Sequence, residues 1–298
     1  MTTRSLSCTD GGRQLPPGLP AAGEVLGRAG SENFAVASRL LPRAARRHLL
    51  AFYGFARFTD QIGDVYQGDR VAALEWLRQE TARSLADQTD AHSLVAGATA
   101  SVNALHLDPR PLFDLIEANV LDQSVTSYAD FDQLLGYCSL SANPVGRLVL
   151  GAFGQLDDEK AALSDAVCTA LQLVEHWQDV REDALAGRVY LPADDLRRFG
   201  VDRRDLVLPP PAPPALRSLM VFEVARARRW MDHGADLIGL LHGPARLAVA
   251  GFVAGGRAAL DDLADRDFDC LVEPSRPRTR SLVRNLAAVG RHATGRAA

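Results

Sequence analysis

From Glu32 to Ala264 apolar residues recur at helical spacing almost without interruption. No stretch shows the strict alternation of a half-buried strand, and no Asn-Gly turn joins two such stretches. A sheet-based fold is therefore excluded and an all-α chain expected. Helix breaks are predicted near Pro42, at "GDR" around Gly68, at "LDPR" around Pro109, at "GQLDDE" around Gly154, and at the proline cluster Leu208 to Pro214. That cluster reads as a loop rather than a domain boundary, so residues 25–272 are expected to form a single all-α domain. Residues 1–24, rich in Gly, Pro, Ser and Thr, read as a loose leader. Residues 273–298 read as a mobile basic tail, with Arg276, Arg278, Arg280, Arg284, Arg291 and Arg296 set against the single acid Glu273.

Bulk composition narrows the partners. With 47% hydrophobic and 23% charged residues the chain has the balance of a soluble globular protein, and a net charge of −4 gives no case for nucleic-acid binding. The longest apolar run, near "LAVAGFVAGG", falls well short of the roughly 20 residues a bilayer span needs. A cytoplasmic protein is expected, with a peripheral membrane contact through the basic tail as a further expectation. Four scattered cysteines, without CxxC or finger spacing, read as reduced thiols.

Two acidic rows point to chemistry. In "LQLVEHWQDVREDALAGRVYLP" Glu175, Asp179 and Asp183 stand four residues apart, sharing a polar arc with Gln172 and His176, while Leu173, Val174, Trp177 and Val180 fill the adjoining apolar arc. Like charges at this spacing destabilise an isolated helix by roughly 0.2–0.5 kcal/mol per pair. An ordinary solvated helix face could carry one such row. A second row, however, lies in "AFYGFARFTDQIGD", where Asp60 and Asp64 repeat the spacing, Tyr53 and Arg57 extend the stripe, and Phe52, Phe55, Phe58 and Ile62 take the other side. Two such rows far apart in the chain suggest acidic clusters facing each other across a bundle interior.

Facing carboxylates without His or Cys donors suit Mg²⁺, a hard cation that takes carboxylate oxygens and completes its octahedron with water and phosphate. A di-iron site is the rival metal reading, but it needs Glu-x-x-His pairs, and Glu175 lies directly beside His176. Arg57 and Arg188 are natural diphosphate clamps, since a guanidinium presents a planar fork of donors to phosphate oxygens. A surface ion pair is the plain alternative for Arg188.

The segments "SENFAVASRLLP", "YGFARFTDQIGD", "YCSLSANPVGRLV", "LQLVEHWQDVRED" with "GRVYLPADDL", and "VAGGRAALDDL" together resemble the squalene and phytoene synthase family, over about Ser31 to Leu271. "ENF", "SANPVGR" and "WQDV" resemble its bacterial hopanoid-pathway branch. The resemblance implies an isoprenoid-synthase-type helical bundle around a central apolar cavity. It also implies metal-binding aspartates at Asp60, Asp64, Asp179 and Asp183. Diphosphate-side contacts are implied at Arg57, Gln172, Arg188 and Tyr190, and pocket positions at Ser31, Phe34, Tyr53 and Tyr137. Several Mg²⁺ ions would then act with the diphosphate.

Departures from the family pattern are equally specific. Glu175 stands where Asn is usual and is either an extra ligand or a weakening of the site; Gln61 and Val65 replace flanking acids, and Val174 replaces Thr. Pro144 removes an amide donor and crowds the carbonyl of Leu140, so either the helix kinks there and turns Asn143 toward the cavity, or Asn-Pro simply ends one helix and starts another. Oriented dipoles of that kind stabilise developing positive charge.

The implied reaction is Mg²⁺-assisted ionisation of presqualene diphosphate and capture of the rearranged cation by water as hydroxysqualene, with no NADPH expected. Condensation of two prenyl diphosphates, giving squalene or phytoene, is the alternative within the family. A non-catalytic partner subunit of an isoprenoid enzyme is the alternative outside it. Association with other hopanoid-pathway enzymes is a further expectation.

Overall fold

The computed structural model describes residues 16–20, 22–27, 42–87, 91–273 and 285. Its elements are helices α1 (Ala22–Gly27), α2 (Arg43–Asp64), α3 (Arg70–Leu85), α4 (Ser93–Leu105), α5 (Arg110–Leu121), α6 (Phe131–Ser141) and α7 (Asn143–Ala152). They continue as α8 (Asp158–Gln178), α9 (Val180–Leu185), α10 (Ala193–Phe199), α11 (Pro214–Gly234), α12 (Leu237–Leu240) and α13 (Gly243–Asp265), with a 3₁₀ turn at Arg203–Val207. No strand ladder occurs among the described residues; Ser127 and Val189 form an isolated parallel bridge.

Helix starts follow local chemistry. Asp69, Asp130 and Asp157 each sit in extended backbone and accept the otherwise unpaired amides of Ala72, Gln133 and Lys160, all at 2.9 Å. Pro42 immediately precedes α2, and the predicted breaks at Gly68, Pro109, Gly154 and the proline cluster each separate two elements.

Helices α2 and α8 organise the interior. Phe52, Phe55, Phe58 and Ile62 on α2 bury against α3, α4 and α5, forming a core with Leu74, Leu77, Leu112 and Ile116. Leu173, Val174 and Trp177 on α8, with Val180 on α9, seed a second core with Leu216, Leu219 and Leu260. Helix α7 packs on both α2 and α8 and so joins the two halves. Gly63 lets α5 close onto α2: a methyl there would overlap the amide oxygen of Asn119, and the Gln123 amide donates to the Gly63 carbonyl at 3.1 Å. On the far side, Arg226 of α11 binds Asp195 of α10 at 2.7 Å and lies 4.1 Å over the Phe131 ring, tying α6, α10 and α11 together.

Several features differ from the sequence reading. The row at Gln172 to Asp183 is two helices, because α8 ends at Gln178 and α9 begins at Val180. The hydrogen-bond ladder carries across, with Asp179 N–H donating to Glu175 and Asp183 N–H to Asp179, so the carboxylates are re-aimed without being dispersed. The expected leader contains the start of α1, whose Val25 is fully buried, and the Tyr66 hydroxyl donates to the Pro17 carbonyl at 3.1 Å. In the expected basic tail, Asn285 is buried and donates to Asp261 at 2.9 Å; the tail arginines lie outside the described residues. Among the described residues no helix is long and apolar enough to cross a membrane.

Phe55 is fully buried at the centre of the α2 core. Its replacement in Phe55→Ala is expected to lower unfolding free energy by about 3–5 kcal/mol, read from denaturant midpoints. A change below about 1 kcal/mol would show that this face does not carry the packing.

Candidate active site

The two acidic rows meet at one cavity of about 290 Å³. Helix α2 supplies Arg57, Asp60 and Asp64, and α8 supplies Gln172, Glu175 and His176; Asp179 lies at the helix break and Asp183 on α9. Helix α5 adds Asn119, with Asp122 just beyond its last turn, α6 adds Tyr137 and Ser141, and the segment after α9 adds Arg188 and Tyr190. Only Leu115 and Ala118 are aliphatic in this lining. The described cavity is therefore polar. Drug-sized ligands occupy roughly 300–1,000 Å³, so the volume suits a charged head group and its counterions rather than a long hydrocarbon.

The loop carrying Arg188 and Tyr190 is fixed by its own backbone. Gly187 adopts φ +86° just after α9, its amide donates to Ala184 at 3.1 Å, and the Arg188 amide donates to Asp183 at 2.8 Å. This paired closure is the Schellman arrangement, which glycine favours because it lacks a Cβ. The chain then runs beside residues 126–129, with Val189 N–H donating to Thr126 at 2.8 Å and Ala193 N–H to Tyr128 at 3.0 Å.

Electrostatics set the cavity apart. Asp60, Asp64, Asp122, Glu175, Asp179 and Asp183 face Arg57 and Arg188, an excess of four negative charges when all are ionised. Arg188 reaches Asp64 at 3.4 Å. Burial pushes the Asp60 carboxyl up to about 7, against the Asn119 hydrogen bond at 3.4 Å, with the Asp64 charge adding to the rise. Burial and then the Asp179 charge raise Asp183 to about 7. Glu175 and Asp179 are also raised, each first by burial and then by a neighbouring carboxylate. Asp122 is raised to about 6 by burial, opposed by the hydrogen bond from the Tyr137 hydroxyl at 2.8 Å and by Arg188.

A wall of rings closes one side. Tyr190 stacks on His176 with centroids 3.7 Å apart, and Tyr137 lies 5.8 Å from Tyr190 and 5.6 Å from Tyr128. Burial lowers His176 to about 3, so its imidazole is neutral at physiological pH. One ring nitrogen lies 3.3 Å from the Gln172 amide.

The all-oxygen donor set and the charge excess fit Mg²⁺. Such an ion takes carboxylate oxygens from the protein and leaves the rest of its octahedron to water and phosphate. The donors of a di-iron site are not assembled: the one imidazole in the lining, His176, is stacked and hydrogen-bonded.

Two expected residues among the described ones lie elsewhere. Asn143 does not line this cavity; its side-chain oxygen accepts from the Thr169 hydroxyl at 3.1 Å, because the helix restarts at Asn143 and directs the amide onto α8. Ser141, before the break, reaches the lining instead. Tyr53 is half-buried one turn before Arg57, packed on the α2 core and outside the lining. Ser31 and Phe34 lie outside the described residues. The sequence reading missed Asn119 and Asp122, which have no partner acid four residues away to draw attention to them.

The chain belongs to the squalene/phytoene synthase family, whose sequence profile matches residues 28–284. That family acts on prenyl diphosphates. A hydroxysqualene synthase from Zymomonas mobilis is 36% identical over 193 residues, 63% of this chain and 64% of the relative, so the match spans just under two thirds of that protein. A phytoene synthase from Mycobacterium tuberculosis is 32% identical over 220 residues, 72% of each chain. The crystal structure of squalene synthase HpnC from Alicyclobacillus acidocaldarius is similar at 39% identity with a TM-score of 0.75, covering 82% of this chain and 92% of that one.

A carboxyl whose proton is held to about 7 when folded but released near 3.8 when unfolded contributes stability at low pH that is lost as pH rises through that window. Without divalent cation, Asp60→Asn is therefore expected to gain in melting temperature over wild type as pH rises from about 5 to about 8. A gap that stays constant across that range would show that Asp60 is not a destabilising buried charge.

Proposed function

We propose that this chain converts presqualene diphosphate to hydroxysqualene with release of diphosphate, using Mg²⁺ and no reductant. The observation that carries the reading is the convergence of both acidic rows and both arginines on one polar cavity bounded by neutral rings. Asp60, Asp64, Asp179 and Asp183 would hold the metal, with Glu175 as a further carboxylate within reach of the cavity. Bound there, Mg²⁺ supplies charge stabilisation to the leaving diphosphate. Arg57 and Arg188 orient the phosphate oxygens from two different elements. Tyr137 and Tyr190 line the cavity beside the uncharged His176, and aromatic ring faces favour a cation without trapping it covalently.

The hydroxysqualene synthase relative at 36% identity supports water capture as the terminating step. The phytoene synthase relative at 32% identity favours the second reading, condensation of two prenyl diphosphates. A non-catalytic subunit has less support, since a chain released from catalysis has no reason to keep six carboxylates crowded against two guanidiniums.

Purified protein with presqualene diphosphate, Mg²⁺ and ¹⁸O-labelled water is expected to give an alcohol carrying the heavy oxygen, in a yield that NADPH does not change. Squalene appearing only with NADPH, or phytoene from geranylgeranyl diphosphate, would promote the second reading. In the same assay Asp60→Asn should lose at least about 100-fold in diphosphate release, while Glu175→Asn should keep most of it. A dead Glu175→Asn would make that carboxylate an adopted ligand.

A further inference from the structure

We infer that Asp122 is a positioning residue that holds the proton of Tyr137 and thereby makes the Tyr137 oxygen the acceptor for the water that ends the reaction. The inference rests on the proposed water-capture reading and deepens it, since Asn143, the expected holder of that water, is engaged with Thr169.

The geometry is direct. The Tyr137 hydroxyl donates to Asp122 Oδ2 at 2.8 Å, and both residues line the acidic cavity. A phenol whose single proton is committed to a carboxylate has only lone pairs left to offer elsewhere. The Tyr137 ring is held by Tyr128, Tyr190 and His176, which fixes the direction in which that oxygen faces. Of the groups in this wall, Tyr137 is the one whose hydroxyl is bonded to an acid.

Asp122 is locally misplaced for any purely structural role. It caps the C-terminus of α5, where the helix dipole disfavours a negative charge. Its second oxygen, Oδ1, is buried with no hydrogen-bond partner, and an unsatisfied buried acceptor is costly. An asparagine or serine would cap the turn without the charge. Local costs gathered on one residue beside a cavity mark a site where function overrides stability.

Atoms and charge balance through the step. A water oxygen held by Tyr137 forms the carbon–oxygen bond to the substrate cation. One proton leaves that water for the Tyr137 oxygen as the original Tyr137 proton passes to Asp122 Oδ2, giving a neutral alcohol, an unchanged tyrosine and a protonated carboxyl. Solvent or the released diphosphate then takes the proton from Asp122.

The test measures alcohol formed per diphosphate released, using the Mg²⁺-loaded full chain and presqualene diphosphate. In Asp122→Asn this ratio is expected to fall on the order of tenfold or more, with hydrocarbons from proton loss replacing the alcohol. Tyr137→Phe should shift the ratio the same way, and Asp122→Glu should restore part of it. A merely structural Asp122 would lower both products together and leave the ratio at the wild-type value, which would overturn the inference. If Asp122→Asn fails to fold, a wild-type ratio in Tyr137→Phe overturns it instead. Wild-type protein that forms no alcohol sinks the proposed function and this relay together, whereas wild-type alcohol with unchanged variant ratios sinks the relay alone.

Discussion

Mutual repulsion inside one cavity is the constraint around which the fold is arranged. Six carboxylates are brought against two guanidiniums in a space of about 290 Å³, and burial, which raises Asp60 and Asp183 to about 7, favours their protonated forms toward neutral pH. On an exposed helix such repulsion costs a few tenths of a kcal/mol per pair, and burial of the acids adds to that cost here. Fully burying one large apolar side chain returns about 1.5–3 kcal/mol, and α2 and α8 bury several, among them Phe55, Phe58, Leu173 and Trp177. The apolar faces therefore win, and they fix the acids where repulsion alone would never leave them. On the proposed reading a divalent cation would complete what partial protonation begins, because it supplies two charges at once without needing a low pH.

Much of this was legible because it was periodic. The faces of α2 and α8 follow from spacing alone, and the breaks at Pro42, Pro109 and the proline cluster follow from residues that cannot continue a helix. The break at Asp179 carried no such mark: "HWQDVRE" contains neither Gly nor Pro, and the ladder runs on through it. Asp122 was invisible for a related reason. It belongs to the cavity through the meeting of α5 and α6, a tertiary fact with no echo in sequence spacing. Asn143 misled because the Pro144 break was read correctly while its direction was not; only the packing of α7 on α8 sends the amide to Thr169.

The segment 186–193 shows how backbone chemistry serves the site at a distance. Its turn closes on α9 through Gly187, and its extended part is hydrogen-bonded to residues 126–128. Arg188 and Tyr190 lie on this segment and Tyr128 on the one it pairs with, so the guanidinium and two of the rings are fastened through one set of backbone hydrogen bonds. Fastening of this kind keeps the guanidinium and the ring wall in register.

The polarity of the described cavity has an evolutionary reading. A lining with only two aliphatic residues offers a hydrocarbon little to bind, so on the proposed reading it would recognise a charged head and be indifferent to the length of the chain attached to it. Selection on chain length would then proceed elsewhere in the bundle while the acidic end stays fixed. For engineering, the same separation means that swapping tails and preserving heads are independent problems.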